Sequence, residues 1–268
     1  MIEILKKVKD VLARQPVYAN VNVLSADARL QGRSALVTGA TSGIGLAIAE
    51  RLSDEGAVVH VTGRNASKLA ELGERGFVAH QLDVRDRAAI ARVMEDVFSQ
   101  DTPDILVNNA GVYRCPSFLD CSEAVWDEVV DSNLKGTFFV AQEFCRRVMK
   151  RGCEGTVINI ASNTGLMGAW SCYAVSKHGI CGLTQGLGKE LLKEGITVNA
   201  IAPGPVATPL NGRSSESELG YPPASDGRMA VAEEIADLSV WLVSPAARHM
   251  TGQVIALDGG ESCSLMRC

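Results

Sequence analysis

Tyr173 and Lys177 stand four residues apart in Tyr173-Ala174-Val175-Ser176-Lys177. If this stretch is helical, the two side chains share a face, with Cβ atoms roughly 5–6 Å apart. The pairing has a chemical use. A free phenol, with a pKa of about 10, is only about 0.1% ionised at neutral pH, and a neighbouring ammonium favours the charged form. A tyrosine so placed can take the proton of an alcohol or give one to a forming alkoxide. The spacing arises by chance in many proteins, so its weight depends on what surrounds it.

Ser162 ends the run Ile158-Asn159-Ile160-Ala161-Ser162. A hydroxyl at a strand end can hydrogen-bond a substrate oxygen and stabilise the charge that develops there; Asn163 is its nearest rival. Far upstream, Thr38-Gly39-Ala40-Thr41-Ser42-Gly43-Ile44-Gly45 joins an apolar run to a helix expected from Leu46. Glycines here permit a tight turn, close backbone approach to a pyrophosphate and close helix–strand packing. The helix start adds free N–H groups and a positive dipole end. At the end of the second run, Val61-Thr62-Gly63-Arg64-Asn65 has no acidic residue to accept from a ribose 2′-hydroxyl. Arg64 offers instead a permanently charged fork suited to a 2′-phosphate. NADP(H) is therefore favoured over NAD(H), the alternative being an arginine merely exposed in a turn.

The elements that must position these groups are legible as alternation. Apolar runs at Ser34–Thr38, Val58–Thr62, Phe77–Gln81, Ile105–Asn108, Thr156–Ala161, Thr197–Ile201 and Val254–Leu257 are separated by helical patterns, the signature of βαβ units around a parallel sheet. Several runs are apolar at consecutive positions, as expected when helices cover both faces. The predicted fold is α/β: a Rossmann-type, doubly wound, seven-stranded parallel sheet in a single domain spanning residues 31–268. Sparse aromatics (5%) suit such layers, where close helix–sheet approach needs small side chains.

Two segments stand outside the rhythm. In residues 1–30, Ile4, Leu5, Val8, Val11 and Leu12 form one helical stripe that Pro16 stops. A targeting or membrane-surface helix is conceivable, but Glu3 and Asp10 interrupt the basic charge, and packing on the domain or a neighbouring subunit is the favoured reading of this N-terminal extension. Residues 209–228 are polar and rich in Ser, Gly and Pro. A stretch that long without periodicity is a functional lid or disordered.

Together the motifs resemble the short-chain dehydrogenase/reductase family, from about Gly32 to Gly260. The family's phosphate loop reads TGxxxGIG, as Thr38–Gly45 does, and its NNAG motif is matched by Asn108-Asn109-Ala110-Gly111. The resemblance implies that Asp83, followed by Val84, holds the adenine amino group. It implies that Asn108 and Asn109 brace the strand ends while Gly111 lets the cofactor lie against the backbone, with Asn109, Ala110 and Gly111 at the cofactor site. It makes Asn133 the helix asparagine that holds a water near Lys177, or else a helix-kinking residue without a proton role. Pro203-Gly204-Pro205-Val206-Ala207-Thr208 matches the family's PG loop, with Val206 and Thr208 anchoring the carboxamide and the lid following. The family places its serine 13 residues before the tyrosine; here the separation is 11, so the Leu166–Cys172 connection is shortened and the pocket wall reshaped. Met167 and Trp170 are candidates to line that pocket or to pack in the core. A homotetramer through the Asp131–Arg151 and Tyr173–Glu194 helices is also implied.

The resemblance implies a small carbonyl or alcohol as the partner, and bulk properties argue against other classes. A net charge of −5 argues against nucleic acid, whose binding depends on clustered Lys and Arg. No apolar run reaches the roughly 18 residues needed to span a bilayer. The eight cysteines are scattered without metal-ligand spacing and read as reduced thiols of a cytoplasmic protein without a metal. Two rival functions stay open: a 3-oxoacyl-carrier-protein reductase, against which stand Phe139 and Glu194 where basic residues are expected, and a non-catalytic NADP(H)-binding protein.

Overall fold

The computed structural model describes residues 30–209 and 212–263. The expected helix of the N-terminal extension lies outside these residues. Among them, seven strands form one parallel sheet: β1 (Ser34–Val37), β2 (Val58–Gly63), β3 (Val78–Gln81), β4 (Ile105–Asn108), β5 (Gly155–Ile160), β6 (Ile196–Pro203) and, last in the chain, β9 (Val254–Leu257). Their order is β3-β2-β1-β4-β5-β6-β9. The expected Rossmann-type sheet is present, and each predicted run overlaps a strand.

The central strands are buried along their whole length. Side chains alternate across a strand, so consecutive apolar residues serve two cores. Ala35 and Val37 of β1, with Ile105 and Val107 of β4, face α1 (Gly43–Asp54), α2 (Ala66–Glu74) and α7 (Ala232–Val243). Leu36 and Leu106 face the opposite way, toward α3 (Arg87–Gln100) and α5 (Gly136–Arg151). Fully buried side chains such as Ile48, Leu52, Ile90 and Phe144 each contribute about 1.5–3 kcal/mol of transfer free energy.

Local signals set the helix starts. Asp86 accepts from Ala88 N and Ala89 N at the start of α3, and Asn65 accepts from Lys68 N before α2, satisfying otherwise orphaned donors. Ser171 does the same for α6 (Cys172–Leu191), accepting from Ala174 N at 3.2 Å. Helix α4 (Glu123–Val130) runs through a wider π-helical turn, Asp131–Lys135, into α5.

From β1 the chain winds outward through β2 to β3, then returns to lay β4 on the other side of β1. At such a reversal the connections leave in opposite directions and a crevice opens at the carboxyl ends of the strands. Two short strands, β7 (Val206–Ala207) and β8 (Ala230–Val231), pair in parallel beside that crevice. The sequence reading did not anticipate them, since two residues carry no periodicity. The polar segment between them is folded where described. Gly220 and Arg228 form an antiparallel bridge, and fully buried Leu219 packs with Ala207 and Val231.

Candidate active site

A cleft of about 740 Å³ lies at the reversal between β1 and β4. Every residue expected at the cofactor and catalytic sites lines it except Gly45 and Asn133. Those two lie just behind the surface. A Cβ on Gly45 would collide with Asn109 Nδ2 and the Gly39 carbonyl, so glycine is required where α1 beds against the end of β4. Asn109 Nδ2 donates to the carbonyls of Thr38 and Gly39, at 3.0 and 2.9 Å. Thr38 Oγ1 in turn accepts from Asn109 N and Ala110 N. The phosphate loop and the Asn109–Gly111 turn are thus laced together. Gly39, at φ +64, approaches Ala110 so closely that a Cβ would sit 2.7 Å from its Cα.

This cradle fits a dinucleotide. Ser42 caps α1 without a side-chain hydrogen bond, leaving its hydroxyl and the first-turn N–H groups beside the cleft, where a helix start favours anions. Arg64 closes the far end. Among the described residues its guanidinium has no hydrogen-bond or ion-pair partner, while Gln81 Nε2 donates to its backbone carbonyl at 3.2 Å. Asp83 lines the cleft, but Arg85 grips both its carboxylate oxygens. That hydrogen bonding holds the Asp83 carboxyl below the usual carboxylate range.

The reacting groups meet between β5 and α6. Tyr173 and Lys177 are one turn apart, and Lys177 Nζ lies 5.6 Å from the centre of the Tyr173 ring. Lys177 is buried and donates to the carbonyl of Ile160 at 2.8 Å; burial pulls its pKa down to about 8. Burial also pushes the Tyr173 phenol up to about 12, while a hydrogen bond with Ser162 acts in the opposite sense. Ser162 is buried at the end of β5, and its Oγ accepts from the Thr164 hydroxyl at 3.0 Å. The Tyr113 ring meets Tyr173 edge-on, with centres 4.9 Å apart.

Asn133 sits in the π-helical turn with its carboxamide spent on bracing. Oδ1 accepts from Val112 N at 2.7 Å, and Nδ2 donates to Val112 O and Ser176 Oγ. The side chain clamps the segment after Gly111 to α6. Of the two candidates in the shortened connection, Met167 lines the cleft, whereas Trp170 is exposed and does not.

Among the wall residues that the sequence does not single out are Tyr113, Tyr221 and Glu261. Glu261 had a usable signal. It follows the Asp258-Gly259-Gly260 turn after β9, at the carboxyl edge where ligands bind in this architecture.

The family model described as enoyl-(acyl carrier protein) reductase matches residues 39–262. The chain is 37% identical over 244 residues to the 3-oxoacyl-acyl-carrier-protein reductase of Aquifex aeolicus, covering 87% of this chain and 98% of that one. The chain belongs to the short-chain dehydrogenase/reductase family. A (3R)-3-hydroxyacyl-CoA dehydrogenase of Canis lupus familiaris is a further member, 35% identical over 259 residues, with 88% and 99% coverage. Among solved structures, an actinorhodin polyketide ketoreductase variant with NADPH is 36% identical, with a TM-score of 0.78 and coverage of 87% and 98%. As a short-chain dehydrogenase/reductase, the chain is an oxidoreductase that interconverts carbonyl and alcohol groups. No helix of the described residues is long and apolar enough to cross a membrane.

Proposed function

We propose that the protein is an NADP(H)-dependent reductase of a small carbonyl compound, running reversibly to the secondary alcohol. The observation that carries this reading is the convergence of Ser162, Tyr173, Lys177 and a free-standing Arg64 on one cleft. The glycine cradle, the start of α1 and Arg64 would hold the cofactor's phosphates, and Asp83 its adenine edge. When bound, the cofactor supplies or accepts a hydride at the carbonyl carbon.

The remaining chemistry belongs to the chain. Ser162 donates to the substrate oxygen and stabilises charge as it develops. Tyr173, held protonated by burial, delivers its proton to that oxygen during reduction and recovers it during oxidation. Lys177 places a cation beneath the Tyr173 ring and lowers the cost of the phenolate. Two of its three N–H donors remain for ribose hydroxyls, since Ile160 O is its one hydrogen-bond partner among the described residues. Asn133 acts by holding Val112 and Ser176 in register with these groups.

The names of the relatives support a second reading, reduction of 3-oxoacyl thioesters. Against a carrier protein as the donor of that substrate stand Phe139 and Glu194, where basic residues would meet an acidic partner. Residues 209–228 serve as the lid of a domain spanning 31–268, a reading supported by Leu219, which packs with Ala207 and Val231. Phe138, Met149, Val175 and Leu192, exposed along the Asp131–Arg151 and Tyr173–Glu194 helices, support a homotetramer. A cytoplasmic location completes the reading.

The test is NADPH consumption across ketones, keto-sugars and acyl thioesters, with NADH and Tyr173→Phe as controls. Turnover with NADPH that collapses in the variant is expected. Faster turnover with NADH would remove the role given to Arg64, and NADPH binding without any turnover would favour a non-catalytic binding protein.

A further inference from the structure

One wall of the cleft is not used by the chemistry above. Beyond Ser162, side chains from three distant parts of the chain meet: Asn163 after β5, Tyr221 between β7 and β8, and Glu261 after β9. The Tyr221 hydroxyl donates to Glu261 Oε1 and Asn163 Nδ2 donates to Glu261 Oε2, each at 2.9 Å. Asn163 Oδ1 accepts from the Ser162 hydroxyl at 3.4 Å. A hydrogen-bonded chain therefore runs from Tyr221 through Glu261 and Asn163 to the residue that meets the substrate oxygen.

Glu261 is held there by construction. Asp258 accepts from Gly260 N and Ser262 N at 3.0 and 2.9 Å, fixing the turn on which Glu261 rides. No lysine or arginine pairs with it among the described residues. An ionised carboxylate accepts at about four lone-pair sites and donates at none. Two of those sites are filled by Tyr221 and Asn163, which leaves acceptor capacity at the cleft wall. Burial, then Glu261, pushes the Tyr221 phenol up to about 12, so Tyr221 stays a neutral donor to Glu261 at neutral pH.

We propose that Glu261 selects the substrate, admitting an uncharged, hydroxyl-bearing carbonyl compound or its polyol and excluding carbonyl compounds that carry a carboxylate or phosphate near the reacting carbon. A ligand hydroxyl fills the open acceptor sites. A ligand anion sets like charge against half-buried Glu261, and a ligand without donors leaves polar groups unmatched. The proposal rests on the cleft being the catalytic site described above, and it deepens that reading by naming the substrate class.

Sorbitol and gluconate are matched six-carbon probes that differ by one carboxylate. Their affinities for the NADP⁺-loaded protein are read by ligand-observed NMR, which needs no turnover. Sorbitol is expected to bind at least about tenfold more tightly than gluconate, since opposing like charges are costly at an interface. Glu261→Gln, which keeps the shape of the side chain, should close most of that gap by strengthening gluconate binding, whereas Glu261→Asp should keep it. Unchanged NADP⁺ affinity and thermal unfolding confirm the fold of each variant. The proposal is overturned by equal affinities in the native protein, by absent sorbitol binding, or by a gap that survives Glu261→Gln. Failure of the oxidoreductase reading is seen separately, as NADPH turnover that Tyr173→Phe leaves intact.

Discussion

The Lys177 ammonium donates to the carbonyl oxygen of Ile160 across 2.8 Å, which ties the helix bearing Tyr173 to the end of β5, two residues before Ser162. One hydrogen bond thus sets the spacing between proton donor and oxyanion partner. It also leaves a buried cation with a single neutral hydrogen-bond partner among the described residues, and burial brings its pKa to about 8.

The pH dependence follows from that value. Lys177 is charged below about 8 and neutral above it, so kcat/KM for NADPH, which reports the free enzyme, should fall as pH rises through that point. Lys177→Arg stays charged throughout. Its profile should be flat across the same range, at a lower plateau. A decline that persists unchanged in the arginine variant would assign the limb to another group.

Tyr173→Phe removes the proton donor while keeping the ring that packs against Tyr113. Turnover should drop by about 10²–10⁴-fold, the contribution typical of a positioned acid or base, with NADPH affinity nearly unchanged. Stopped-flow hydride transfer and fluorescence titration separate the two effects.

Among the described residues the Arg64 guanidinium has no hydrogen-bond or ion-pair partner to lose, so its replacement reads on the cofactor. Arg64→Leu should raise KM for NADPH by about 10–100-fold, corresponding to the roughly 1.5–3 kcal/mol of a charged hydrogen bond, and leave NADH almost untouched. Paired steady-state assays decide it. An equal effect on both cofactors would point to lost packing.

Gly45→Ala forces a methyl group into Asn109 and the Gly39 carbonyl. Overpacking of this kind costs about 1–3 kcal/mol. Thermal unfolding should shift down by about 2–4 °C for each kcal/mol in a chain of this size, and NADPH affinity should weaken because Asn109 steadies the phosphate loop. Gly182, with open space around it, is the control: Gly182→Ala should do neither.

A second pH effect arises away from the cleft. His60 Nδ1 and His80 Nε2 lie 3.0 Å apart, buried between β2 and β3. Burial lowers both pKa values, and the neighbouring ring lowers that of His60 further, while Asp101 and Asp96 face them and act in the opposite sense. The unfolded chain takes up protons that the fold refuses, so stability is complete above the ordinary histidine value of about 6.5 and is lost as pH falls below it. His80→Gln should flatten the decline of Tm between neutral and mildly acidic pH.

The sheet was legible because its central strands carry β-branched and apolar runs, interrupted only by Asn159 in β5 and Asn199 in β6, and the phosphate loop because glycine spacing is itself the mechanism. Arg64, Tyr173 and Lys177 could be read for the same reason: their use depends on local spacing or on one strand end. Tyr113 and Tyr221 could not, and Glu261 only through its place after the Asp258-Gly259-Gly260 turn. They converge through a turn, a polar segment and the end of β9, and no local pattern encodes that three such pieces share a wall. Asn133 shows the opposite case. The motif located it, but only the fold reveals that its amide is committed to Val112 and Ser176.

The reversal between β1 and β4 has a kinetic side. Ala35 pairs with Val59 on one flank and with Ile105 on the other, so the sheet is assembled from a nearby partner and a remote one. Contacts between remote segments form late and slowly, and this join is the one the cleft straddles. A dinucleotide lying across it would bind the folded chain and not the unfolded one, adding stability in proportion to its saturation. Cofactor supply would then govern protein lifetime as well as flux: chains deprived of it should open at this seam first and be the first taken by proteases.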